Sequence, residues 1–121
     1  MDMNEKADLE IIGHGKVAIV VFKATSISNA EAIATLSKQI KKFIDENHPE
    51  NVIFDFGQVK FFSSQVLGVL LDIRAKMEKD AGQVVISAIE PQLHRVFKIT
   101  NLDKIFRFFP DKEIAIQALT S

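Results

Sequence analysis

Short runs rich in β-branched residues alternate along this chain with longer segments of helical periodicity, and that alternation limits the fold more than any other feature. The first two runs flank Gly13-His14-Gly15, a glycine-rich turn that predicts a β-hairpin. Each later run is followed by a segment whose apolar residues recur at helical spacing. An opening hairpin followed by βα repeats predicts one α/β domain, with a mixed sheet of about four to five strands and about four helices packed on it.

Caps and helix breakers set the predicted boundaries of these elements. Ser28-Asn29-Ala30-Glu31 has the serine and the later glutamate of a capping box, and His48-Pro49 stops the helix that follows. The continuous apolar run Val84-Val85-Ile86 predicts an interior parallel strand that is buried on both faces. The predicted strands are Leu9–Ile12, Lys16–Phe22, Asn51–Phe56, Gln83–Ile89 and Ile105–Phe109, and the predicted helices run from Ala30 to about Glu46, from about Gln65 to Lys79, from Pro91 to about Ile99, and onward from Pro110-Asp111.

Length and charge bound the classes of function. With 121 residues the chain has the size of one domain, in which the polar residues 1–7 are expected to be flexible. The 15 basic and 16 acidic residues leave a net charge of −1, which provides no field for gathering a nucleic acid. The apolar runs Val17–Phe22 and Val66–Leu71 are far too short to span a bilayer, and the N-terminus does not resemble a signal peptide. We therefore expect a cytoplasmic protein that neither binds nucleic acid nor inserts into a membrane.

The sequence gives little support to a cofactor or a catalytic site. It contains no cysteine, and His14, His48 and His94 lack the spacing of a metal site, so no metal is expected. It also contains neither a glycine-rich phosphate loop nor a nucleophile elbow. We expect no cofactor and no enzymatic activity.

Two adjacent serines, Ser63 and Ser64, lie where a loop passes into the second predicted helix. Either could cap that helix, which is the purely structural interpretation. A helix start also favours an anion, and phosphorylation would add about −1.5 to −2 charges there. A partner that covers this surface would have to desolvate the phosphate, so phosphorylation would block binding. This switch requires the Ser64 hydroxyl to be open to solvent. Its apolar neighbours in the sequence are Phe61, Phe62, Val66 and Leu67.

Gly68 lies inside the same predicted helix, where a glycine costs about 0.5–1 kcal/mol relative to alanine. Such a glycine indicates close approach of another backbone, either the sheet or a partner. We favour packing inside the domain.

The stretch Phe61–Val69 resembles the helix start of STAS domains, specifically the bacterial anti-sigma factor antagonists, which reads roughly Phe-x-Asp-Ser-Ser-Gly-Leu-Gly-Val. Leu67-Gly68-Val69 matches the family's Leu-Gly-Val, and Ser64 falls on the family's phosphorylated serine. The family's aspartate, second hydroxyl residue and first glycine are replaced here, and the family's Gly-x-x-Asp element is absent near residues 23–26. The residues that replace them are Ser63, Gln65 and Val66, in that order. Beyond this motif, the resemblance extends over Asn51–Gly57, Gln83–Pro91, Arg95-Val96-Phe97, Leu102 and Ile105-Phe106.

This resemblance implies a regulator that binds a cytoplasmic anti-sigma factor with serine-kinase activity and thereby releases a sigma factor. The kinase would end the complex by phosphorylating Ser64, with Ser63 as the alternative acceptor, and a PP2C-type phosphatase would restore binding. Two alternatives stay open: a STAS subunit of a stressosome or lipid-transporter complex without a phospho-switch, and a small-ligand or nucleotide sensor. The residues that we assign to partner binding are Ser26, Ser28, Phe61, Phe62, Ser63, Ser64, Gln65, Val66 and Leu67.

Overall fold

The computed structural model describes residues 9–120, so the predicted flexibility of residues 1–7 lies outside the described residues. Three strands come first along these residues, and after them helices alternate with single strands or with a pair of strands. The strands are β1 Leu9–His14, β2 Val17–Phe22, β3 Ser26–Ile27, β4 Asn51–Asp55, β5 Phe61–Phe62, β6 Gln83–Ser87 and β7 Arg107–Phe109. The helices are α1 Ala30–Asn47, α2 Gln65–Glu78, α3 Pro91–Ile99 and α4 Lys112–Thr120, and a 3₁₀ turn covers Leu102–Lys104.

The main sheet of the described residues has five strands in the order β1-β2-β4-β6-β7. β1 pairs with β2 in the antiparallel sense, so the predicted hairpin is confirmed, and every other pair in this sheet is parallel. The turn lies at Gly15-Lys16, because Gly13 and His14, which were predicted to belong to it, pair with Ala18 and Val17 as the last residues of β1. The α/β class, the mixed sheet and the four helices within residues 9–120 confirm the predicted fold class. The prediction for the Val84-Val85-Ile86 strand is also confirmed, because β6 is flanked by β4 and β7 and these three side chains are buried.

Helices cover both faces of the sheet, and side chains that alternate along each strand enter two separate cores. The larger core contains Val52 and Val84 together with buried side chains of α1, α2 and α3. The smaller core contains Ile53 and Val85, which pack against Ala115 of α4. A ring cluster strengthens the larger core, since Phe22 stacks on Phe54 with a centroid distance of 5.8 Å.

Several element boundaries differ from the prediction by one to a few residues, and two of these differences have a clear physical reason. Asn29, not Ser28, caps α1, because Asn29 directly precedes the first helical residue and its side-chain oxygen accepts a hydrogen bond from the Ala32 amide at 2.9 Å. The last strand begins at Arg107 and not at Ile105, because the 3₁₀ turn engages the Ile105 amide with the Leu102 carbonyl at 3.0 Å.

Candidate functional site

A second, two-stranded sheet brings together the two segments that the sequence assigned to partner binding. β3 runs parallel to β5, with Ser26 opposite Phe61 and Ile27 opposite Phe62. The Ser63 amide extends the pairing by donating to the Ile27 carbonyl at 3.0 Å. Neither short strand was predicted, since two residues are too few to show an alternating pattern.

The loop between β4 and this small sheet is fixed by buried groups. The Phe56 amide donates to the Ser87 carbonyl at 3.0 Å, and the Val59 amide donates to the Phe56 carbonyl at 3.0 Å. The Asp55 carboxylate accepts from the Gly57 amide at 2.7 Å, and Phe56 and Val59 are both fully buried. The loop therefore delivers β5 and the two serines from the carboxyl edge of the main sheet, the edge at which open α/β sheets place their sites.

Ser64 stands at the start of α2 and is exposed. Its backbone has helical angles, φ −61° and ψ −19°, and its side chain makes no capping hydrogen bond within the described residues. The Ser64 carbonyl already accepts from the Leu67 amide at 3.0 Å. Ser64 thus occupies the N-cap position without its hydroxyl acting as a cap, and that hydroxyl is accessible to another molecule.

The Ser63 hydroxyl has the opposite environment. Its oxygen is buried and finds no hydrogen-bond partner among residues 9–120. An acceptor that is sealed from solvent cannot reach the active site of a kinase. The geometry therefore argues against Ser63 as the alternative acceptor and leaves Ser64 as the accessible hydroxyl of the pair.

The apolar neighbours of Ser64 divide between surface and core. Phe61 is 54% exposed, whereas Phe62, Val66 and Leu67 are 6%, 3% and 7% exposed. The assignment of these three side chains to a contact surface needs correction, because they are packed inside the larger core. Phe62, for example, meets the ring of Phe56 edge-on at 5.7 Å.

The surface around Ser64 consists of a few exposed groups from both segments. They are Ser26, Ser28, Phe61, Ser64 and Gln65, all of which were predicted, and they lie at the joined ends of β3, β5 and α2.

This surface carries no charge of its own. Residues 24–30 and 61–71 contain no acidic, basic or histidine side chain. The cation that precedes the second segment, Lys60, is ion-paired with Glu90 at the start of α3. A phosphate on Ser64 would introduce the first charge into these two segments.

Gly68 does not fulfil the packing role that the sequence suggested. It is exposed in the interior of α2, and a methyl group built at its Cα would meet no atom within 4 Å in the described part of the chain. The prediction of internal packing is wrong, because no strand of the sheet and no other helix among the described elements approaches this position. The cost of the glycine, about 0.5–1 kcal/mol relative to alanine, is not offset by a contact among residues 9–120.

Within residues 9–120, the pocket beside the two β3 serines is small and no group of metal ligands extends this site. The pocket beside Ser26 and Ser28 has a volume of about 110 Å³, against roughly 300–1,000 Å³ for typical ligand sites. A groove of about 530 Å³ lies at the opposite edge of the main sheet, beside Asp45, His48 and Lys76. Over residues 9–120, acidic and histidine side chains form no group of three that could hold a metal ion. The helices within these residues are too short or too polar to span a lipid bilayer.

Comparison with known proteins yields one family and a consistent fold. A family model described as the STAS domain matches residues 8–115. BtrV of Bordetella bronchiseptica, which is named provisionally as an anti-sigma factor antagonist, is 28% identical over 92 residues, 75% of either chain.

Solved structures repeat the fold at low sequence identity. An anti-sigma factor antagonist (STAS) domain protein from Planctomyces limnophilus superposes with a TM-score of 0.84 at 19% identity, covering 94% of this chain and 98% of that one. SpoIIAA, an anti-sigma factor antagonist solved in its unphosphorylated form, gives a TM-score of 0.79 at 17% identity, with 91% and 94% covered. The phosphorylated form of SpoIIAA from Bacillus gives 0.71 at 18% identity, with 91% and 97% covered.

Proposed function

The chain belongs to the STAS domain family, and from this premise we propose that it is an anti-sigma factor antagonist whose binding is ended by phosphorylation of Ser64. Its partner is an anti-sigma factor with serine-kinase activity, and a PP2C-type phosphatase reverses the modification. The observation that carries the proposal is the exposed Ser64 hydroxyl at the start of α2, next to an exposed phenylalanine and within an uncharged surface. The names of BtrV and SpoIIAA point to the same class of partner.

The binding step relies on Phe61 and its polar neighbours. Phe61 is 54% exposed, and aromatic side chains in this state are common anchors of protein interfaces. The exposed hydroxyls of Ser26 and Ser28 border it through the β3–β5 pairing. An uncharged surface of this kind can be covered by a partner without desolvating an ion.

The switch follows from the same lack of charge. In the phosphoryl transfer, Oγ of Ser64 attacks the γ-phosphorus of ATP, the bond from that phosphorus to the bridging oxygen breaks, ADP leaves, and the hydroxyl proton passes to a base of the kinase. The product adds about −1.5 to −2 charges to a surface whose nearest preceding cation, Lys60, is engaged by Glu90. Re-binding would bury that charge without a counter-ion, so the complex dissociates.

The modified chain keeps its fold. The positive end of the helix dipole at the start of α2 favours an anion at this position. Phosphorylation therefore acts on the interface and leaves the core intact. The chain contributes the acceptor hydroxyl and a docking surface in the cytoplasm, and the ATP chemistry belongs to the kinase.

The test mixes the purified chain with ATP and, one at a time, the purified serine kinases of histidine-kinase-like fold that the same genome encodes. Mass spectrometry then follows the tryptic peptide from Phe61 to Arg74, in which fragmentation separates Ser63 from Ser64. We expect one phosphate, on Ser64, and loss of the kinase from the modified chain in size-exclusion chromatography. Stable binding without phosphate transfer would instead support a STAS subunit without a switch, and saturable binding of a nucleotide to the chain alone would support a sensor.

A further inference from the structure

Gly68 lies one helical turn beyond Ser64 on the same side of α2. It is exposed, and Leu71, in the next turn along this side, is 36% exposed. Phe61 lies at the other end of the same stretch and is 54% exposed. The glycine thus exposes main chain to solvent between two partly exposed apolar side chains, in the surface that holds the acceptor hydroxyl.

We infer that the kinase contacts α2 at Gly68, where an element of the kinase packs against the helix backbone. A longer side chain at this position would keep that element away from the backbone. This inference rests on the proposed function and names a further residue of the same interface. It explains why the position carries the weakest helix former other than proline although no described neighbour requires it.

The short distance between position 68 and Ser64 supports this contact. Side chains four residues apart on a helix have Cβ atoms about 5–6 Å apart. A kinase that places the γ-phosphorus of ATP against the Ser64 hydroxyl must enclose that hydroxyl, so its surface also covers position 68. A side chain at 68 would project into this contact and keep the reacting atoms apart.

The test compares Gly68→Ala and Gly68→Gln with a matched pair of variants at Ala75. Ala75 is also exposed on α2, but it lies about 16 Å along the helix axis from Ser64. We expect Gly68→Ala to raise the melting temperature by about 2–5 °C, while Gly68→Gln weakens binding of the kinase and slows phosphorylation of Ser64 by about tenfold or more. Ala75→Gln should leave kinase binding and the rate of Ser64 phosphorylation unchanged, and Ala75→Gly should only lower the melting temperature.

The outcomes separate this inference from the function on which it rests. If no kinase binds or phosphorylates the wild-type chain, the proposed function fails and the inference fails with it. If the wild type is phosphorylated and Gly68→Gln is phosphorylated equally fast, the inference alone is overturned. Reduced melting temperatures for both Gly68 variants would also overturn it, because the glycine would then be required by the fold.

Discussion

The Ser63 amide donates a hydrogen bond of 3.0 Å to the Ile27 carbonyl, and this bond joins two segments that are far apart in the chain. It continues the parallel pairing of β3 with β5 and holds the residue before Ser64 against the loop that leads into α1. The start of α2 is therefore fixed from outside the helix. A modification at Ser64 therefore falls beside a residue that is held by a second segment, which is the reason for expecting its effects at the interface and not in the core.

Substitution of Ser64 separates acceptance of phosphate from binding. Ser64→Ala removes the hydroxyl but no capping hydrogen bond found within residues 9–120, so it should bind the kinase normally, accept no phosphate, and change the free energy of unfolding by less than about 0.5 kcal/mol. Ser64→Asp places a charge in an uncharged surface and should weaken binding by about tenfold or more. Calorimetry with the kinase and urea unfolding measure the two quantities. Tight binding by Ser64→Asp would contradict the electrostatic basis of the switch.

Phe61 and Phe62 provide a matched pair, since they are adjacent in one strand and point to opposite sides. Phe61→Ala should leave the free energy of unfolding within about 0.5 kcal/mol of wild type but weaken binding of the kinase by about tenfold. Phe62→Ala should cost about 3–5 kcal/mol, because it empties a site between the rings of Phe56 and Phe97. Urea unfolding combined with a binding isotherm measures both. The expectation fails if Phe61→Ala binds as well as the wild type.

The architecture could be predicted from sequence because strongly periodic segments determine it. The hairpin around Gly13-His14-Gly15 and the interior strand around Val85 each carry a local signal that tertiary contacts only reinforce. The short strands β3 and β5 carry no such signal, because their pairing depends on where β4 and α2 place the chain.

The site was predicted in position but not in detail. The exposed place of Ser64 at the start of a helix follows from the change of pattern after Phe62. Val66 was assigned to partner binding, yet it begins a buried helical face, and the apolar spacing of α2 already predicts that this helix is mostly buried. The members of the face are Val66, Leu70, Ile73 and Met77. The buried hydroxyl of Ser63 had no local signal, since adjacent serines in a loop look alike in sequence.

Ser63→Ala should stabilise the chain. The Ser63 oxygen is buried without a hydrogen-bond partner among the described residues, and such a group costs about 1–3 kcal/mol. Replacing it with a methyl group removes that cost and leaves only a small void, so we expect a gain of about 1 kcal/mol. Urea unfolding measures the change, and Ser64→Ala, at the exposed neighbour, is the control. A loss of stability would show that the hydroxyl is hydrogen-bonded in solution, for example to a buried water molecule.

The cap of α1 offers a test of how the Ser26–Ser28 segment is anchored beside Ser64. Asn29→Ala removes the bond from the Ala32 amide and should cost about 1 kcal/mol, whereas Ser28→Ala should be close to neutral because Ser28 is exposed and stands outside the helix. Because β3 ends two residues before the cap, loosening of the first turn of α1 should also loosen its pairing with β5. Hydrogen exchange of the Ser63 amide, whose acceptor is the Ile27 carbonyl, should therefore be faster in Asn29→Ala than in Ser28→Ala. Equal exchange in the two variants would mean that β5 and α2 hold this amide without help from the cap.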